Sequence, residues 1–155
     1  MNMDSLKLKV PPVVVAFIAV MLMKAVALIT PGSAFLATLP TAIPYLIVIL
    51  GFVVAISGVV EFRRHKTTVN PMLKTEATAM VDSGIYGYTR NPMYLGMLIA
   101  LLAGMFYWSN FYTLLICPLF VLYMNRFQIE PEEAYLQEKF PHAFADYQSR
   151  VRRWL

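Results

Sequence analysis

Four stretches of this chain, residues 11–29, 45–62, 93–107 and 111–127, are almost free of charge, and they constrain the fold more than anything else in the sequence. At ~1.5 Å per helical residue, the first two nearly cross a hydrocarbon core of ~30 Å. A soluble helix of that length shows a polar stripe at every third or fourth position, and these runs do not. The whole chain is 59% hydrophobic over 155 residues, above the roughly 45 to 50% of soluble domains, so a greasy water-soluble bundle is disfavoured. The expected fold class is all-α: one polytopic membrane domain over 1–155, with about four transmembrane helices, a polar loop at 63–92 and short C-terminal helices at 128–155.

The connections give the topology. Residues 30–44 hold Pro31, Pro40, Pro44 and a glycine but no charge, which suits a turn at the far surface; Trp108, Ser109 and Asn110 make a tight hairpin between the last two spans. Lys7, Lys9, Arg63, Arg64, Lys66, Lys74, Arg90, Arg126 and the basic tail all fall on the other side. By the positive-inside rule that side is cytosolic, with both termini there. Lys7 and Lys9 before an apolar run could also mark a signal peptide, but the run is long for one. Short loops and compact length point to a prokaryotic cytoplasmic membrane.

The net charge of +4 comes from residues that flank apolar segments, where lipid headgroups account for it, so no nucleic-acid partner is expected. Cys117 is the single cysteine and can form no intrachain disulfide. His65 and His142 stand alone without ligand spacing, so no metal is expected. Lys24, inside the first span, could serve function, snorkel to the interface or pair with another chain. The ten methionines suit flexible packing or a lipid-accessible cleft.

Residues 82–96, Asp82 to Gly96, are the densest stretch. Gly84 and Gly87 loosen the backbone, Pro92 turns Asn91 away from helix and starts one, and Gly96 allows close approach to its first turn. The free N–H groups of such a terminus favour an anion, and Tyr86, Tyr88 and Tyr94 could wall a flat heterocycle. An interfacial aromatic belt on a proline-started helix accounts for the same residues. In the tail, Glu130-Pro131-Glu132-Glu133 opens a helix, Phe140-Pro141 breaks it, and Phe144, Tyr147 and Val151 form an apolar stripe on a second helix from His142 to about Arg150.

Gly84-Ile85-Tyr86 followed by Arg90-Asn91-Pro92-Met93-Tyr94-Leu95-Gly96 resembles the signature of the isoprenylcysteine carboxyl methyltransferase and phospholipid methyltransferase superfamily of integral membrane methyltransferases. Glu132-Glu133-Ala134-Tyr135-Leu136, Phe140, Tyr147, Val151 and Arg153 are similar to that family's tail, and Thr67 to Pro71 is a weaker upstream match. The resemblance covers roughly Thr67 to Trp154. It implies an S-adenosyl-L-methionine site at the cytosolic surface, lined by Asn70, Thr78, Ala79, Met80, Val81, Tyr86, Asn91, Pro92, Met93, Tyr94 and Glu132, with methyl transfer to a lipophilic small molecule or lipid-attached substrate.

The sequence departs from the family at Asn91, where many members have histidine, at Pro141 in place of glycine and at Phe144 in place of tyrosine. Carboxyl-methylating members carry a substrate-meeting arginine at the position of Gln128; Arg126 is near but out of register. Substrate positioning is therefore expected of Gln128 or Arg126, and the acceptor is an isoprenylcysteine-like carboxylate or a lipid amine, thiol or hydroxyl. Two other classes fit parts of the pattern: a membrane sterol-reductase-like NADPH enzyme, and a non-enzymatic scaffold or small transporter with Lys24 as its intramembrane handle.

Overall fold

The computed structural model describes residues 8–65 and 80–155, which form helices and connecting turns with no strand among them. The principal helices are α1 (Pro12–Ile29), α2 (Ala42–Arg64), α3 (Pro92–Tyr107), α4 (Phe111–Lys139) and α5 (Pro141–Arg150). A single helical turn at Ala34–Ala37 and a 3-10 turn at Gly84–Gly87 sit in the connections. Prolines at the start of α1, α3 and α5 need no intrahelical partner there, because first-turn N–H groups have none.

The chain is an integral membrane protein. α1, α2 and α4 are long and apolar enough to cross a bilayer, and α3 is a shorter apolar helix. Phe17, Leu22, Leu46, Ile49, Phe52 and Val53 all lie exposed on the outer faces of α1 and α2. In water such a surface would drive aggregation, whereas lipid tails cover it at no cost.

α2 packs along α3 more extensively than any other pair of elements. Their backbones touch: a Cβ on Gly51 would lie 2.5 Å from the Gly96 carbonyl oxygen and 2.9 Å from the Ala100 nitrogen, and a Cβ on Gly96 would overlap the Gly51 carbonyl oxygen. Lipid removes the hydrophobic drive between spans, so this small-residue seam contributes through van der Waals contact. α1 and α4 close on the opposite side of α3 around Met23, Tyr94, Leu101, Phe120, Met124 and Ile129. At the far turns, buried Asn110 donates to Thr30 Oγ1 at 2.9 Å and accepts from the Tyr112 N–H at 2.9 Å.

The helix of the fourth apolar run continues into the polar tail. One helix, α4, carries both the apolar stretch at 111–127 and the first part of the tail, with a 3-10 start at Phe111–Leu115 and a π turn at Asn125–Ile129. Pro131 offers no N–H to the carbonyl four residues earlier, Phe127, and that carbonyl accepts from the Leu8 N–H at 2.9 Å instead. Gln128 Nε2 donates to the Val10 carbonyl at 2.7 Å, and Trp154 Nε1 donates to Asn125 Oδ1 at 2.9 Å. One widened turn thus anchors segments from both ends of the chain.

Candidate functional site

The polar end of the bundle is where α2 finishes, α3 begins and α4 leaves its apolar stretch. Four elements meet there: the last turn of α2, the turn 83–88, the first turn of α3, and residues 130–139 of α4 covered by α5.

The C-terminal residues run as a strap over the turn. Thr89 Oγ1 and Asn91 Nδ2 donate to the Arg153 carbonyl at 3.4 and 2.8 Å, the Arg90 N–H donates to the Arg152 carbonyl at 3.0 Å, and Arg90 Nη1 donates to the Val151 carbonyl at 2.6 Å. Glu133 ties both layers together, accepting from Arg90 Nη2 at 2.7 Å and from Arg153 Nη2 at 2.6 Å. Burial alone would raise the Glu133 carboxyl, but the bonds from Arg153 and Arg90 hold it below the usual carboxylate range. Below the strap, Val81, Tyr86, Phe144, Tyr147 and Val151 form a small apolar core with Met80 packed against it. Tyr147 donates its hydroxyl to the Tyr86 carbonyl at 2.8 Å.

Glu132 faces the other way. Its Oε1 accepts the Tyr94 hydroxyl at 2.5 Å, and among the described residues no cation pairs with it. Burial pushes its carboxyl up to about 7; the Tyr94 bond pulls against that shift and the Glu133 charge adds to it. Tyr86 stands nearby, 5% exposed, with its ring edge-on to Phe62 at 5.3 Å between centroids. Its hydroxyl is buried and has no hydrogen-bond partner among the described residues. Burial raises that phenol well above its ordinary value, and the charges of Tyr147, Glu132 and Glu61 add to the shift.

Tyr86, Tyr94 and Glu132 are therefore the sequence-derived residues that the structure brings together with polar atoms available. Pro92 and Met93 lie against Gly58 of α2, where a Cβ would meet Pro92 Cγ at 2.9 Å and Met93 Cγ at 3.3 Å. Asn91 is buried, and its amide is engaged by the strap. Gln128 turns inward to Val10, and Arg126 is exposed and paired with Glu130 at 3.0 Å, so neither reaches the Tyr94–Glu132 pair. Asn70, Thr78, Ala79 and the 67–71 element lie outside the described residues. No group of three potential metal ligands occurs among the described residues.

Glu61 has no place in the sequence reading. It is 9% exposed in the last turn of α2, and its Oε1 accepts the Ser83 hydroxyl at 2.6 Å. Gly84, at φ +59°, sits directly on it: a Cβ there would come within 2.8 Å of the carboxylate. One signal was available in the sequence, since an anion at a helix C-terminus opposes the dipole and calls for a reason.

A family model described as phospholipid methyltransferase matches residues 39–143. An uncharacterized protein of Haemophilus influenzae is 43% identical over 63 residues, covering 41% of this chain and all of that relative. No solved structure gives a significant match.

Proposed function

The chain belongs to the phospholipid methyltransferase family, and from that premise we propose that it transfers the methyl group of S-adenosyl-L-methionine to a lipophilic acceptor at the cytosolic face of a prokaryotic membrane. The observation that carries the reading is the juxtaposition of Glu132, which among the described residues has a phenol but no cation, with the buried Tyr86 hydroxyl, which has no partner among them. A carboxylate and phenol oxygens without a cation suit a ligand that brings positive charge, and the Tyr86 and Tyr94 rings suit a purine or a sulfonium. The residues present therefore fit the donor.

Bound there, S-adenosyl-L-methionine would supply an electrophilic methyl on a leaving group that needs no further activation. The protein's work is alignment and exclusion of water. In this reading Tyr94 holds the Glu132 carboxylate towards the donor, the Tyr86 hydroxyl makes a hydrogen bond that the described residues leave open, and the strap closes the turn that carries Tyr86. Asn91 acts through the strap, since its side chain is committed to Arg153.

The lipophilic side of the reading rests on a cavity of about 480 Å³ between α1, α2 and α3, lined by residues that include Val20, Met23, Val48, Ala100, Gly104 and Trp108. Its near edge, Ala100, stands six residues from Tyr94, about 9 Å along α3. A hydrocarbon chain with its head at the polar end would reach it. The acceptor head is then an isoprenylcysteine-like carboxylate, or a lipid amine, thiol or hydroxyl.

Thermal stabilisation of the purified protein in detergent tests the proposal, with S-adenosylhomocysteine and NADPH as the two ligands. Stabilisation by S-adenosylhomocysteine alone is expected, and its loss in Glu132→Ala and Tyr94→Ala. Stabilisation by NADPH would favour a reductase; stabilisation by neither would remove both enzyme readings.

A further inference from the structure

Two carboxylates, on separate elements, act on the phenol of Tyr86: Glu132 from α4 and Glu61 from the last turn of α2. Glu61 is buried at the wrong end of its helix for an anion, and among the described residues its basic neighbours are loosely placed. Arg64 reaches Oε2 only at 3.7 Å with a 73% exposed side chain, and His65 Nδ1 stands 3.9 Å from Oε1. On the other flank, Arg90 and Arg153 are taken up by Glu133. The described part of the polar end is thus short of positive charge around a buried hydroxyl that lacks a partner. Ser83 and the glycine at 84 hold the Glu61 carboxylate beside the turn that carries Tyr86, so it cannot swing out to solvent without dismantling that turn.

We propose that Glu61 forms a second anionic wall of the donor site, and that Glu61 and Glu132 together make the site select the positively charged donor over the neutral thioether left after transfer. The inference rests on the methyltransferase reading and adds to it a residue of α2 and a means of product exchange. Methyl transfer turns a sulfonium into an uncharged sulfide. A site walled by two carboxylates loses its main attraction for the ligand at that moment, while a fresh donor regains it.

The test compares two ligands by calorimetry on the full chain in detergent: sinefungin, which carries a protonated amine in place of the sulfonium, and S-adenosylhomocysteine, which is neutral at that position. Wild type is expected to prefer sinefungin. Glu61→Gln keeps an oxygen for Ser83, and it is expected to weaken sinefungin by about tenfold, the order for one partly solvated charge pair, while moving S-adenosylhomocysteine by less than about twofold. Equal weakening of both ligands, or of neither, overturns the proposal. Ser83→Ala loosens the turn but leaves the charge, so the preference should persist; its loss there would assign the effect to the turn and overturn the charge role. Should Glu61→Gln fail to fold, Glu61→Asp retracts the charge by one methylene and should shrink the preference, and an undiminished preference overturns the proposal. A wild type that binds neither ligand defeats the methyltransferase reading itself, a result distinct from all of these.

Discussion

Glu133→Ala should open the strap without opening the bundle. Glu133 accepts three hydrogen bonds, from Arg90 Nη2 at 2.7 Å and from Arg153 Nη2 and Nε at 2.6 and 3.2 Å. Its removal leaves the Arg90 guanidinium, 12% exposed, with the Val151 carbonyl as its acceptor and with Nε already unpaired among the described residues. Breaking a fully buried pair from one side costs about 3–5 kcal/mol. Arg153 is a third exposed, so solvent screens its half, and about 2–4 kcal/mol is the reasonable range. At about 1.4 kcal/mol per decade, strap amides should exchange with deuterium roughly thirtyfold to a thousandfold faster. The amides to follow are Arg90, which bonds to the Arg152 carbonyl, and Val151, which bonds to the Tyr147 carbonyl. Peptides across the Gly51–Gly96 seam should be unchanged, and Glu133→Gln should fall between the two. Unchanged exchange at Arg90 and Val151 would refute the clamp; acceleration throughout the chain would refute its locality.

Tyr94→Phe removes the donor to Glu132 and with it the influence that holds that carboxyl down; the pH at which cationic ligands begin to bind should rise, read by sinefungin titration across pH. In wild type, Glu132 keeps its proton up to about 7, so sinefungin affinity should increase as pH rises through that value while S-adenosylhomocysteine changes little. Glu133 has the opposite sign: its folded value lies below the ordinary 4.5, so the strap's stabilisation is complete above that value and fades as pH falls through it and beyond, visible as faster exchange at Val151 after correction for intrinsic rates. Gly96→Leu drives a side chain into the Gly51 carbonyl, and overpacking of this kind costs about 1–3 kcal/mol or more, so the folded fraction on detergent size exclusion should drop. Pro131→Ala returns an N–H to the Phe127 carbonyl and should release Leu8, accelerating exchange of that amide while peptides across the Gly51–Gly96 seam stay as in wild type.

The apolar helices were legible in sequence because membrane burial imposes a requirement on every residue of a span, and no local competition can hide it. Tyr86, Tyr94 and Glu132 were legible as a set because the motif carries them, although nothing in their spacing says that a phenol from α3 meets a carboxylate 38 residues later. Two features escaped. The π turn at Asn125–Ile129 is one: Pro131 stands in the first turn of Glu130–Lys139 as the sequence reading had it, but no local pattern says that this helix joins the apolar run before it without a break. The other is the hydrogen bond from the Asn91 amide to the strap, a pairing between residues 62 apart that no local pattern announces.

The adjacent glutamates of α4 divide the charges of the described polar end between them. Neighbouring helical positions point about 100° apart, so Glu132 and Glu133 cannot serve the same partner. Glu133 turns to Arg90 and Arg153 and neutralises two cations of the described polar end that could otherwise have answered the Glu61 and Glu132 carboxylates. Glu132 turns to Tyr94, a neutral donor that orients a carboxylate without cancelling its charge. The strap therefore has an electrostatic consequence beyond its mechanical one. By sequestering arginine it preserves a negative field at Tyr86, and a variant that frees Arg90 should weaken a cationic ligand through charge alone, even where the turn itself stays in place.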